Sequence, residues 1–465
     1  MKKLITIIFC GATLIGASSC NKYLEIVPRG DKVPQTLADY RGLIEHSDAH
    51  VIDYSVHATL VNDWRLLPAS QTAVNLTTVN YNWQENVDRT QFIQTDAGYS
   101  SAYKNIFITN VVINNVPGAT TGTDAEKAAL IAQAKVARAI NYFYLITTYA
   151  KTYDAKTAAT DPGVIINVAE EMEQKLSQST VQQVYDFMIK DLTEAIPALP
   201  DMGANPMMAG KGAAYAMLMR IYLFQQKYRE AEEMADKALA MNNKLFDYVK
   251  YYNDNKTAAD GTSPSLGLAK YEFNNPENYY FNYGGSIVKN QGFYASLLLP
   301  SDSADYEPGD ARFKINFVGR VLSNMRVFTQ RRMDDVNSGG IRTPEVYYAK
   351  AECLARAGKY AEAMETLNTV RRKRIITSFY KDLTAATEAE AIALIRRESR
   401  AEYRGYGNNY LDIRRFNNDP VYKATITKVE GTATYSIGPD SHLWILPFSQ
   451  TSIAYGEGRL VQNSH

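Results

Sequence analysis

Cysteine is nearly absent from this chain, with 3 among 465 residues. Cys10 lies in an apolar leader, Cys20 follows the small residues Gly16-Ala17-Ser18-Ser19, and Cys353 sits among Ala351, Leu354 and Ala355. No pair remains for a disulfide framework, so stability has to come from a packed core. An excess of either charge is also missing. The 50 basic residues balance 50 acidic ones, and loss of Lys2 and Lys3 with the leader leaves 48 against 50. That balance offers no electrostatic footprint for nucleic acid or anionic lipid. Beyond the leader no apolar run is long enough to span a bilayer. There is no G-x-S-x-G elbow, P-loop or H-E-x-x-H pair, so the commonest signatures of hydrolases and nucleotide enzymes are excluded. A glycosidase needs only two carboxylates across a cleft, and among 50 acids such pairs always occur. Sequence alone leaves that rival open.

What is present is a soluble globular composition, 46% apolar and 22% charged, long enough for two or three lobes. Tyrosine is the outlier at 33 copies, a residue equally suited to packing, interfaces and sugar platforms. Lys2-Lys3 and the apolar run from Leu4 to Ile15 form a secretory leader over residues 1–19. The small residues before Cys20 look like a lipobox, with Ala17 where Leu is commonest, so Cys20 is expected to be acylated, as with palmitate. Ordinary cleavage with Cys20 incidental is the alternative.

Helical periodicity organises the remainder. From Gly212 to Leu239 two short apolar stripes meet at Gln226-Lys227, which predicts an antiparallel hairpin. Tyr228-x-x-Ala231 sets a large ring against a small residue. The phrase returns as Tyr360-x-x-Ala363 within Pro344–Arg372, 132 residues later. Both hairpins match a tetratricopeptide-type repeat at weak stringency, and an ordinary helical core is the plainer reading. Further helices are expected over Thr36–Glu45, Tyr99–Val116, Asp124–Tyr149, Val181–Ala195 and Glu388–Phe416, with an extended run at 162–166. The segments 51–94 and 248–333 lack a steady period. The expected fold is therefore mainly α, a scaffold of tetratricopeptide-like hairpins with an irregular lobe containing short strands. Its divisions are 1–19, 20–240, 241–340 and 341–465.

Several phrases in this order resemble the SusD/RagB family of outer-membrane nutrient-binding lipoproteins. They are Cys20-x-x-Tyr23-Leu24-Glu25-x-x-Pro28, Ala134 to Ala139 with Tyr142-Phe143-Tyr144-Leu145, Ser179-Thr180 through Asp191-Leu192, Leu367-Asn368-x-Val370-Arg371-x-x-Arg374, Asp412-Ile413-Arg414-Arg415-Phe416, Leu446-Pro447 and Gln462-Asn463. Tyr406-Gly407-Asn408-Asn409 departs from the family's Glu-Gly-x-Arg, while Glu398 and Glu402 are present and are expected to pair with Arg414 or Arg415. The resemblance implies a lipoprotein anchored at Cys20 on the outer membrane and facing the exterior. It implies a partner, a SusC-like TonB-dependent transporter, to which a captured oligosaccharide or polysaccharide is delivered. Membrane contact would be through the lipid alone. No cofactor, metal or catalytic residue is implied, and a peptide ligand or a pure scaffold role are the alternatives.

A glycan site needs aromatic faces together with planar amides, carboxylates or guanidinium groups. Asn62-Asp63-Trp64-Arg65 supplies all of them in one loop, and Trp83 lies in the same irregular segment. Tyr279, Tyr280 and Tyr283, near Asn274, Asn275 and Asn278, supply a second set. Each has packing as its bland alternative. His46, His50 and His57 with Asp48 and Asp53 could be read as a metal cluster, but the expectation is solvated turns and no metal. The acidic run Asp302 to Asp310 lacks calcium-loop spacing and is also expected to form solvated turns.

Overall fold

A computed structural model describes residues 33–463 apart from 53, 67–70, 72, 171–175, 264–272, 284–296, 323, 332–336 and 431. The leader, Cys20, the 20–28 phrase and Asp53 lie outside the described residues.

Helix α1 (Leu37–Glu45) opens on a reciprocal box in which Thr36 caps the Asp39 N–H and Asp39 reaches back to Thr36. Short helices α2 (Ser55–Leu60) and α3 (Leu76–Tyr81) follow, then the long α4 (Ala97–Asn115) and α5 (Asp124–Tyr149). Strands β1 (Pro162–Ile165) and β2 (Gln178–Thr180) pair antiparallel before α6 (Val181–Ala195). Helices α4 and α6 both pack on α5, which is buried almost without interruption from Gln133 to Tyr149. A helix apolar all round belongs at the centre of a fold. Arg138 is tolerated there because Asp191 takes its guanidinium at 2.8 and 2.8 Å and Asn110 at 2.8 Å.

The first hairpin is α7 (Lys211–Phe224) and α8 (Tyr228–Met241). The lobe that follows holds α9 (Tyr248–Asp254), α10 (Lys256–Ala259), β3 (Asn278–Tyr280), β4 (Leu297–Leu298), α11 (Ala311–Asn316), β5 (Phe317–Leu322) and β6 (Met325–Gln330). Strands β4, β6 and β5 form an antiparallel sheet in that order, and β3 pairs with β7 (Ile341–Arg342). Then come the second hairpin, α12 (Thr343–Arg356) and α13 (Tyr360–Arg371), and helices α14 (Glu388–Glu402) and α15 (Gly407–Asn417). The chain closes with the ribbon of β8 (Ile426–Glu430) and β9 (Ala433–Ile437) and helix α16 (Gln450–Gly456). The protein is mainly α-helical with small sheets, as its periodicity predicts.

Helix α8 packs on α12, so the two hairpins are neighbours in space despite their separation in sequence. Ala231, Ala235, Ala238, Ala351, Ala355 and Ala363 are all fully buried, and small side chains at these contacts let the axes approach. Gly358, at φ 75, makes the turn of the second hairpin, where a residue with Cβ would be strained. The guanidinium of Arg356 lies 4.2 Å from the centroid of Tyr228, so the ring of one hairpin meets a cation of the other.

The irregular lobe is fastened to α14 by buried charges. Arg312 pairs with Asp310 at 2.7 Å, Glu398 at 2.9 Å and Glu402 at 3.1 Å. Arg374 joins Glu277 at 2.7 Å and Glu402 at 2.8 Å, and Arg342 lies 3.3 and 3.5 Å from the same two carboxylates. This corrects the expected pairing of Glu398 and Glu402. Four residues apart on one helix, they face the lobe, while Arg414 donates to the carbonyls of Thr147, Ala150 and Trp444 and Arg415 pairs with Glu352 and Asp412.

Candidate functional site

Loop 61–66 is where the sequence concentrates its ligand candidates. Asn62 takes φ 57, a left-handed turn that Asn tolerates, and reverses the chain after α2. Asp63 then points inward, accepting the Gly405 N–H at 2.9 Å and the Asn409 amide at 3.0 and 2.9 Å. Burial raises its pKa, opposed by the cations Arg404 and Arg400. Trp64 lies against Gly405, where a Cβ would come within 2.3 Å of Cζ2, and shares a cluster with Ala58, Leu298, Tyr306 and Phe317. Arg65 grips Asp302 with two bonds of 3.1 and 2.7 Å and reaches Glu430 at 2.9 Å.

Most of the remaining candidates are also internal. Trp83 gives its indole N–H to the Leu60 carbonyl at 2.8 Å. Tyr279 donates to the Ala238 carbonyl at 3.0 Å, and its ring fills the space above Gly212. Tyr280 bonds His50 at 3.0 Å. Tyr283, half-buried, sets its ring edge-on to Phe281 at 4.9 Å. Asn275 and Asn278 are buried, and Asn274 is exposed. Trp64, Trp83, Tyr279 and Tyr280 are each no more than 5% exposed, so none presents a ring face to a sugar in this conformation. A segment without regular hydrogen-bonded structure needs such anchors to hold its shape.

The expected solvated turn holds at His46 and Asp48, which are exposed, and needs correction at His50 and His57. His50 and His57 are 2% and 1% exposed, packed as neutral rings against Tyr280 and against Tyr54 and Tyr410. Burial lowers their pKa values to about 4 and about 3. No cluster of His, Cys, Asp and Glu that could hold a metal occurs among the described residues. Asp302 and Asp310 are held by Arg65 and Arg312, and Asp305 by Arg400 and Arg404.

Two features flank the loop. On one side the β8–β9 ribbon inserts Lys428, its Nζ 3.4 Å from the centroid of Tyr81, 4.8 Å from Trp83 and 5.6 Å from Tyr435. Asn62 Oδ1 lies 3.3 Å away, and Glu430 on the same strand face takes the Tyr81 hydroxyl at 2.5 Å. Burial lowers the Lys428 pKa to about 7.

On the other side is an open groove of about 360 Å³. Val61, Ile413 and Ile426 supply its apolar lining, and α14 supplies Ala393, Arg396, Arg397 and Arg400. Asp63, Asp305, Asn409 and Asp412 complete it. Planar donors and acceptors beside an apolar lining suit a polyhydroxylated ligand, and the volume falls at the low end of roughly 300–1,000 Å³ typical of ligand sites. The arginines had a legible signal in Arg396-Arg397-x-x-Arg400, which puts three guanidinium groups on nearly one side of a helix. Which side opens to solvent depends on how α15 packs. A smaller cavity among Phe143, Arg220, Glu345 and Leu411 adjoins the groove, sharing Arg396 and Asp412 with it. Another opening of about 320 Å³, between Lys151, Asp440 and His442, is lined by Arg414 of the Asp412–Phe416 phrase but by none of the ligand candidates.

Residues 22–223 match the family model described as starch-binding and associating with the outer membrane, and residues 327–455 match that of the SusD family. No curated protein matches. Among solved structures, a SusD superfamily protein from Bacteroides thetaiotaomicron is 19% identical with TM-score 0.72, covering 92% of this chain and 100% of its own. A SusD-like carbohydrate binding protein from Bacteroides vulgatus is 18% identical with TM-score 0.65, at 91% and 97% coverage. The surface glycan-binding protein A of Bacteroides uniformis is 17% identical with TM-score 0.65, at 92% and 100% coverage. At these identities the three likenesses establish the fold.

Proposed function

We propose, because the chain belongs to the SusD/RagB family, that it is a nutrient-binding lipoprotein that captures oligosaccharide at the cell surface and passes it to a SusC-like TonB-dependent transporter. Cys20 carries the lipid that holds it on the outer membrane. No helix among the described residues is long and apolar enough to cross a membrane. The observation that carries the reading is the groove beside loop 61–66, with three guanidinium groups, an amide and carboxylates together with aliphatic side chains. Carbohydrate recognition needs that mixture, many fixed hydrogen bonds and a surface for C–H groups. Loop 61–66 acts from behind the groove, Asp63 by setting Gly405 and Asn409 and Trp64 by filling the space under Gly405.

Binding without turnover is supported by the state of the groove carboxylates. Asp63 is 1% exposed with both oxygens engaged by Gly405 and Asn409, Asp305 is held by Arg400 and Arg404, and Asp412 is held by Ser399 and Arg415. A glycosidase requires one carboxyl free to give a proton and another free to attack or to activate water. Titration calorimetry of the chain from Asn21 against a panel of oligosaccharides tests the reading. Saturable binding that Arg400→Ala weakens, with the sugar recovered intact, is expected. Silence across the panel would instead favour a scaffold or lid subunit, and hydrolysis would contradict the binding role.

A further inference from the structure

Arg396 differs from the other two arginines of the groove. Arg397 bonds Glu398 at 3.0 Å and Arg400 meets Asp305 at 3.2 Å. Arg396 has no hydrogen-bonded or ion-paired partner among the described residues. Its guanidinium instead stacks 4.2 Å from the centroid of Phe416, and the side chain is half-buried. The nearest groove carboxylate is already engaged, since Asp412 takes the Ser399 hydroxyl at 3.0 Å on one oxygen and Arg415 at 2.8 and 2.9 Å on the other. Burial lowers its pKa, and Arg415 and Arg400 add to the shift against the opposing attraction of Asp412 and Glu352.

A half-buried guanidinium whose N–H groups have no hydrogen-bonded acceptor among the described residues is costly, and a bound anion relieves that cost. The contact with Phe416 holds the group without engaging its N–H donors, and a guanidinium so placed can take a planar anion with two parallel bonds. Its position is significant because Arg396 lines both the open groove and the inner cavity, so an anion seated there marks the deep end of the site. From this geometry we infer that the ligand is an acidic saccharide, with a carboxylate or sulfate received by Arg396. The inference rests on the groove being the saccharide site and adds the charge of the sugar.

The test is titration calorimetry of the full chain from Asn21 with uronic-acid oligosaccharides, the same oligosaccharides after reduction of the carboxyl groups, and a sulfated oligosaccharide of equal length. The uronate form is expected to bind at least tenfold tighter than its reduced counterpart, and to weaken as salt is raised. Arg396→Gln removes the difference between the two, whereas Arg396→Lys restores part of it by returning charge without the planar fork. A preference confined to the sulfated sugar assigns the subsite to sulfate and supports the inference. Equal binding of uronate and reduced sugar, or a preference that survives Arg396→Gln, overturns it. If only neutral sugars bind, the acidic assignment falls and the glycan-binding function stands. If nothing binds, both fall. The comparison of uronate with reduced sugar needs no variant, so it holds even if the substitutions disturb folding.

Discussion

The hydroxyl of Tyr280 meets Nδ1 of His50 at 3.0 Å, while Nε2 of the same imidazole faces the Ile44 carbonyl. With Nε2 donating to the carbonyl, Nδ1 is the acceptor and Tyr280 the donor, which defines a neutral ring. One contact thus occupies both a tyrosine from the aromatic run and a histidine from the apparent metal group. It ties β3 to the segment after α1.

That neutrality makes the fold acid-sensitive. Unfolded histidine titrates near 6.5, whereas His50 and His57 titrate at about 4 and about 3 in the folded chain. Between those values the unfolded chain binds more protons, so stability is full above about pH 6.5 and falls as pH drops toward 4 and 3. Each histidine should cost about 2 kcal/mol between pH 7 and pH 5. Urea unfolding at the two pH values measures it. Neither ring nitrogen of His57 has a hydrogen-bond partner among the described residues. His57→Phe should therefore fold and should remove roughly half of the histidine contribution; an unchanged pH response in that variant would count against the assignment.

Gly405 is indispensable for a related reason. It sits at φ 83 with the Trp64 ring where a side chain would begin. Gly405→Ala should destabilise by roughly 2–4 kcal/mol, through left-handed strain and overpacking together. Thermal melting would show the loss, and a melting point within a degree of the parent would contradict the contact.

The same contact marks a limit of sequence reading. Tyr228-x-x-Ala231 and Tyr360-x-x-Ala363 revealed hairpins because a helix repeats its face every few residues, and that information is local. Whether Trp64 is a platform or a core ring is decided by Gly405, more than three hundred positions away, so no local pattern reports it. Strands such as Leu297–Leu298 are too short to show alternation. The pairing of Glu402 could not be read either, since its partners Arg312, Arg342 and Arg374 come from three different segments. For the candidate groove, the arginine spacing was visible in sequence, and the opening beside it was a matter of tertiary packing.

The buried charges that fasten the lobe give a third expectation. Glu402 is held ionised, with its pKa lowered to about 2 as Arg374, Arg312 and Arg342 outweigh the cost of burial. Glu402→Gln leaves three guanidinium groups short of charge in a dry site and should cost about 3–5 kcal/mol. Hydrogen exchange should then quicken across 306–318 before it does in α5. Uniform loss of protection over the whole chain would mean that the network does not act as the lobe's fastening.

The claim that the groove of Arg396, Arg397, Arg400 and Asn409 receives the sugar is tested most directly by diffraction from crystals grown with an oligosaccharide that binds in solution. The account predicts density for a saccharide over Val61, Ile413 and Ile426, with hydroxyl or acidic groups on the α14 guanidiniums. Sugar density elsewhere, for instance on the irregular lobe, with this groove empty would contradict it.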